Sequence, residues 1–186
     1  MPINDIVKNG REQMIKCVDY FKIQLAKVRT GRASGSLIDG VTVDYYGVPT
    51  PVTQVASVSA PDARTIIIQP FDRSIISDIE KSIRAADLGF NPQNDGTIIR
   101  IPVPPLTEQR RKDFVKMCKK SAEEAKVAVR NVRRELIDEL KLEEKAKILS
   151  EDDRKKGEDE VQKITDEFIK LLDQILDKKE KELLDD

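Results

Sequence analysis

The chain has 186 residues, 36% of them charged and 4% aromatic, and its 33 Lys or Arg against 34 Asp or Glu leave a net charge of −1. That mix is typical of long exposed helices and unlike a sandwich or barrel, and a domain size of ~100 to 150 residues allows one domain or two small ones. With no basic leader followed by an apolar run, and no stretch near the ~18 apolar residues of a membrane span, a soluble cytoplasmic protein is expected.

The first element is a helix. Ile3, Val7, Gly10, Met14, Cys17, Phe21, Leu25 and Val28 recur in steps of three and four, which makes one apolar stripe over about seven turns ending before Gly31. Residues 31–104 read differently. "VTVDYY" (41–46), "TIIIQ" (65–69) and "TIIRI" (97–101) are strand patterns, "YGVPTP", "APDAR" and "NPQNDG" are turn chemistry, and 74–86 suits a short helix with Ile75, Ile79 and Ile83 on one side.

From Thr107, an N-cap directly after Pro104 and Pro105, to about Leu149 there is no Gly or Pro, and Phe114, Cys118, Ala122, Ala125, Val129, Val132, Leu136 and Leu140 repeat the helical stripe. Ser150 with Asp153 three residues on resembles a capping box and opens a last helix carrying Val161, Ile164, Phe168, Leu171, Ile175 and Leu176 inward. None of these helices is stable alone in water, so residues 1–30 and 105–186 should form an elongated three-helix bundle. A small α/β domain, 31–104, is inserted into it, and the fold class is α+β. Two chain segments join the domains, 29–34 and 102–105; glycine in one and prolines in the other predict a hinge of restricted axis at Thr30, Gly31, Arg32, Ala33, Ser34, Val103, Pro104 and Pro105.

Charge is distributed unevenly. Residues 1–30 carry six Lys or Arg against three Asp or Glu, residues 105–149 thirteen against nine, and residues 150–186 eight against fourteen. At ~100° per residue, Lys112, Lys116, Lys119, Lys126, Arg130, Arg133 and Arg134 fall within an arc of roughly 100° on the second helix, apart from its apolar stripe. Lys8 and Arg11 of the antiparallel first helix are expected near Lys126 and Arg130. A basic stripe on a rigid rod is a footprint for phosphate, with arginine favoured for its planar fork. Scarce aromatics argue against base stacking on single strands and for structured RNA gripped by its backbone. The plainer alternative is a solvated face neutralised by the acidic third helix.

Catalytic signals are few. There is no histidine, Cys17 and Cys118 match no metal-ligand spacing, and both cysteines read as small buried hydrophobes. "GRASGS" (31–36) lacks the lysine of a phosphate loop, and Ser34 has no histidine to activate it. The chain is expected to be neither an enzyme nor the holder of a cofactor or metal.

"RTGRAS" (29–34), "DYYGVPTPV" (44–52), "DLGFNPQNDGTIIRIPVPPLTEQRRK" (87–112), "VAVRNVRRE" (127–135), "SEDD" (150–153) and "VQKITD" (161–166) together resemble the bacterial ribosome recycling factor family over essentially the whole chain. Ala86, where a serine is the pattern, and Gly35, where a proline is common, depart from it. The resemblance implies an L-shaped pair of domains with a mobile hinge. It implies a factor that, with elongation factor G, splits the post-termination ribosome into subunits, using GTP hydrolysed by that partner, with initiation factor 3 acting downstream. It further implies that Arg130, Arg133, Arg134 and Arg29 face ribosomal RNA of the large subunit, and that the factor works as a monomer. Rival readings are a helical adaptor, and a hibernation or quality-control factor that binds ribosomes without splitting them.

Overall fold

The computed structural model describes residues 2–28 and 31–184. They fall into two compact units, one drawn from 2–28 and 108–184 and the other from 31–107. Arg29 and Thr30 lie outside the described residues.

The first unit is three long helices, α1 (Pro2–Ala26), α4 (Glu108–Lys145) and α5 (Glu151–Leu184), each packed on the other two. The 38 residues of α4 make a helix about 57 Å long. Its apolar stripe is buried from Cys118 to Leu140 as the spacing predicts. On α1 the buried set is Ile6, Gly10, Met14, Val18, Phe21 and Leu25, with Val28 buried just past its end, so Ile6 and Val18 join the stripe while Val7 and Cys17 sit at its half-buried margin. On α5, Leu172 is buried and Leu171 is exposed, one position from the expected residue.

Two glycines allow the helices to approach closely. A Cβ on Gly10 of α1 would lie 2.2 Å from Leu136 Cδ1, and one on Gly157 of α5 would lie 2.8 Å from Leu140 Cδ2. The two leucines are one turn apart on α4, so both flanking helices press on the same short stretch of it.

α4 ends at Lys145, earlier than the absence of Gly and Pro predicts. Lys147 takes a left-handed backbone (φ 58°), and the Ile148 and Lys147 amides donate to the Glu143 and Glu144 carbonyls, both at 2.9 Å. This is the helix-ending pattern usually made by glycine. The next helix is then capped by Ser150, whose Oγ accepts from the Asp153 amide at 3.1 Å.

The second unit holds β1 (Thr42–Tyr45), β2 (Val48–Pro51), α2 (Val52–Val55), β3 (Ala56–Asp62), β4 (Thr65–Pro70), α3 (Ile76–Ala85), β5 (Gln93–Asn94) and β6 (Ile99–Pro102). β1 and β2 form an antiparallel hairpin, and the second sheet runs β3-β4-β6-β5, also antiparallel. "YGVPTP" is thus a tight turn followed by a strand. Tyr46 (φ 50°) and Gly47 (φ 82°) are the two loop residues between the paired Tyr45 and Val48, and the left-handed backbone at Gly47 is one that glycine adopts without strain. Ile66 and Ile68 of β4 and Ile99 and Ile101 of β6 alternate inward and meet Ile76, Ile79 and Ile83 of α3 in one core.

The β3–β4 turn holds both ends of this inserted unit. The Ala33 amide donates to the Ala63 carbonyl at 2.9 Å and the Val103 amide to the Arg64 carbonyl at 2.7 Å, while Arg64 Nη1 donates to the Gly31 carbonyl at 2.7 Å. Val103 is buried with the core. Gly31, Ala33 and Val103, three of the eight predicted hinge positions, are therefore fastened within the inserted unit. The Ser34 and Ser36 hydroxyls bond each other, and Arg32, Pro104 and Pro105 are exposed.

Candidate RNA-binding surface

The helix turn carrying "VRNVRRE" is anchored by what it buries. Val129, Val132 and Leu136 face the bundle, which offsets the weak helix preference of the two valines and sends Arg130, Arg133 and Arg134 to other sides. The basic arc then divides along its length into two rows.

Lys119, Lys126 and Arg133 form the inner row, beside α5. Lys126 Nζ lies 2.6 Å from Asp173 Oδ1 and 3.5 Å from Glu123 Oε1, with its side chain 15% exposed. The hydrogen bond it donates to Asp173 is the main cause that raises its pKa; the ammonium keeps its proton, and the carboxylates of Asp173 and Glu123 beside it offset its charge toward an outside ligand. Lys119 stands 4.0 Å from Glu180. Arg133 Nε donates to Gln162 Oε1 at 2.7 Å.

Lys116, Arg130 and Arg134 form the outer row, together with Lys141, which the same ~100° rule brings within about 40° of them. All four are exposed, and none takes part in an ion pair among the described residues. Lys112 lies on this line too and pairs with Glu108 at 2.9 Å, an exposed i,i+4 contact that contributes little and yields readily to a stronger anion. Sequence reasoning missed Lys141; carrying the same arithmetic two turns past Arg134 would have found it.

The expected widening by the first helix does not form at Arg11. Gly10 lies opposite Leu136, so Arg11 is at another level than Lys126, and it faces α5. There it reaches Glu167 at 3.0 Å and stands over the Phe168 ring at 5.9 Å. Neutralisation by the third helix therefore describes the inner edge, where Lys126 is paired, while the outer row is solvated without an ion pair among the described residues. Arg29 lies outside the described residues, as does Thr30 of the hinge set.

Elsewhere the described residues hold no group of three or more His, Cys, Asp or Glu placed for a metal, and no helix long and apolar enough to cross a membrane. Burial is the main cause that pushes the Cys17 and Cys118 thiols up, the reverse of an activated nucleophile.

The helical unit of this two-unit α+β protein exposes one long row of cations with no ion pair among the described residues, a surface suited to a polyanion. Residues 21–184 match the family described as "Ribosome recycling factor". The chain is 55% identical over 185 residues to the ribosome-recycling factor of Nitratidesulfovibrio vulgaris (strain DP4), covering 100% of both chains. It is 51% identical to that of Geobacillus sp. (strain WCH70), covering 98% of this chain and 99% of the relative. Among solved structures it is similar to a solution structure of the ribosome recycling factor, with a TM-score of 0.76 and 39% identity over 100% of this chain and 99% of the other. A second, of the T. thermophilus ribosome recycling factor and the E. coli elongation factor G bound to the E. coli post-termination complex, gives a TM-score of 0.64 and 47% identity over 99% and 100% of the two chains. The chain belongs to the ribosome recycling factor family.

Proposed function

We propose that this chain, with elongation factor G and GTP, takes the post-termination ribosome apart into its subunits for reuse. The elongation factor hydrolyses the GTP, the chain itself needs no cofactor, and initiation factor 3 acts downstream to keep the subunits apart. In this reading the factor is a cytoplasmic monomer and its helical unit lies on large-subunit ribosomal RNA. Lys116, Arg130, Arg133, Arg134 and Lys141 meet the phosphates, with Lys112 and Lys119 beside them, and Arg29 contributes a further contact. The eight linker positions from Thr30 to Ser34 and Val103 to Pro105 serve as the hinge, with Gly31, Ala33 and Val103 marking its fixed side.

The observation that carries this reading is the outer cation row, unpaired along one face of a helix of 38 residues. Cations that have no internal partner keep their charge for an external one, and neutralising phosphates releases counterions. A long, closely packed helix is also stiff, so a push from a partner at one place is delivered at another. Family membership and the likeness to a factor described with elongation factor G on a post-termination complex support the same conclusion.

The test mixes the protein with post-termination ribosomes, elongation factor G, GTP and initiation factor 3, and follows light scattering. Splitting appears as a fall that needs both the protein and the elongation factor with GTP. Binding on a sucrose gradient with no fall would identify a factor that holds ribosomes without splitting them, and no binding would return the adaptor reading.

A further inference from the structure

Gln162, in the "VQKITD" segment of α5, makes an unusual contact for a side chain facing a basic row. The other two inner-row cations look at carboxylates, Lys126 at Asp173 and Lys119 at Glu180. Arg133 instead looks at a neutral amide, donating from Nε to Gln162 Oε1 at 2.7 Å. The amide is itself fixed, because Gln162 Nε2 donates to Asp166 Oδ1 at 2.8 Å, one turn along the same helix.

The chemistry fixes which way the amide faces. A carboxylate only accepts and a guanidinium only donates. Turned over, the amide would set its NH2 against the arginine N–H and its oxygen against the carboxylate, and lose both bonds. Asp166 therefore orients Gln162, and Gln162 orients Arg133. Only Nε of the guanidinium is used, which leaves both terminal nitrogens to present the paired donors that grip a phosphate. A carboxylate in place of the amide would hold the arginine equally well and cancel its charge.

We propose that Gln162, backed by Asp166, is a positioning residue for the RNA-binding surface: it pre-orients Arg133 toward a backbone phosphate while leaving its charge uncancelled. This rests on the reading of that surface given above. It assigns to α5, the acidic helix of the unit, a part in binding an anion. Ordering a long side chain before association removes a cost otherwise met on binding.

The experiment measures affinity for purified large ribosomal subunits across a series of monovalent salt concentrations, for the parent, Gln162→Leu, Asp166→Ala, Gln162→Glu, Arg133→Ala and the double variant Gln162→Leu with Arg133→Ala. Gln162 and Asp166 are exposed, and thermal melts check each fold; should Gln162→Leu not fold, Gln162→Ala, which also loses the amide without a change of charge, carries the test. Gln162→Leu is expected to weaken binding about three- to tenfold with the salt slope unchanged, since no charge is lost; Asp166→Ala also removes a carboxylate beside the anion site, so it is expected to weaken binding less and to leave the slope no lower than the parent's. Gln162→Glu, which cancels the arginine, is expected to lower the slope by about one, as Arg133→Ala does. In the Arg133→Ala background, Gln162→Leu is expected to have no further effect.

A Gln162→Leu protein that binds like the parent overturns the proposal, and so does a loss that persists undiminished without Arg133. If Arg133→Ala alone leaves affinity and slope unchanged, Arg133 is no part of the surface, and the positioning role falls with that part of the functional reading.

Discussion

The two units are held together by different side chains, and they use their charges differently. The core cluster of the inserted unit is isoleucine and valine with Ala56, because branched side chains suit a pleated surface. The helical unit buries isoleucines and valines too, but adds Met14, Phe21, Phe168, leucines, alanines and two glycines, and its helices meet where Gly10 and Gly157 stand against Leu136 and Leu140. Charges in the inserted unit close turns: Asp95 accepts from the Thr97 and Ile98 amides at 2.9 and 2.8 Å, and Asp72 from Ser74. In the helical unit they cross between helices or point outward in a row. One unit is a self-contained block and the other a packed rod with a charged exterior, so damage to each should show in different measurements.

Leu140→Ala should give the largest loss. The side chain is fully buried at the close approach of α5, and the cavity should cost about 2 to 5 kcal/mol in denaturant unfolding. Gly10→Ala comes next and has the opposite sign from helix preference, by which alanine is favoured over glycine by ~1 kcal/mol. The added methyl must displace the buried Leu136 side chain, so a net loss of about 1 to 3 kcal/mol is expected; a gain in stability would show that close packing is not what holds α1. Ile68→Val in the inserted core removes one buried methyl group and should cost about 0.5 to 1.5 kcal/mol, with ribosome affinity unaltered.

The smallest effect is a pH dependence of the inserted unit. Amide hydrogen bonds, chiefly from Ile98, hold the Asp95 carboxyl below its ordinary pKa. The Ser74 side chain does the same for Asp72, and Asn94 for Glu80. A group depressed on folding adds stability that is fully present above its unfolded pKa and is lost as pH falls through the folded one. The inserted unit should therefore weaken on acidification from the ordinary carboxylate range downward. Asp95→Asn should flatten part of that fall, as followed by amide exchange of β6.

Much of this was legible in the sequence, for identifiable reasons. The stripes of α1, α4 and α5 are long enough that single misplacements, such as Leu171 for Leu172, did not obscure them. β2 and β3 were not legible as strands: "VPTP" carries two prolines, and "ASVSAPD" is short of apolar residues because β3 is an edge strand paired only with β4. The basic arc was legible from α4 alone. Which of its cations are neutralised was not, because Asp173, Glu180 and Gln162 lie on another helix, and periodicity within one helix says nothing of what faces it.

On the proposed function, the outer row binds RNA and the paired lysine does not. The most direct measurement compares the salt dependence of binding to large ribosomal subunits for Arg130→Ala with Arg134→Ala together, and for Lys126→Gln. The account predicts a slope lowered by about two in the first and nearly unchanged in the second. An unchanged slope for the arginine pair, or the larger change from Lys126, would contradict it.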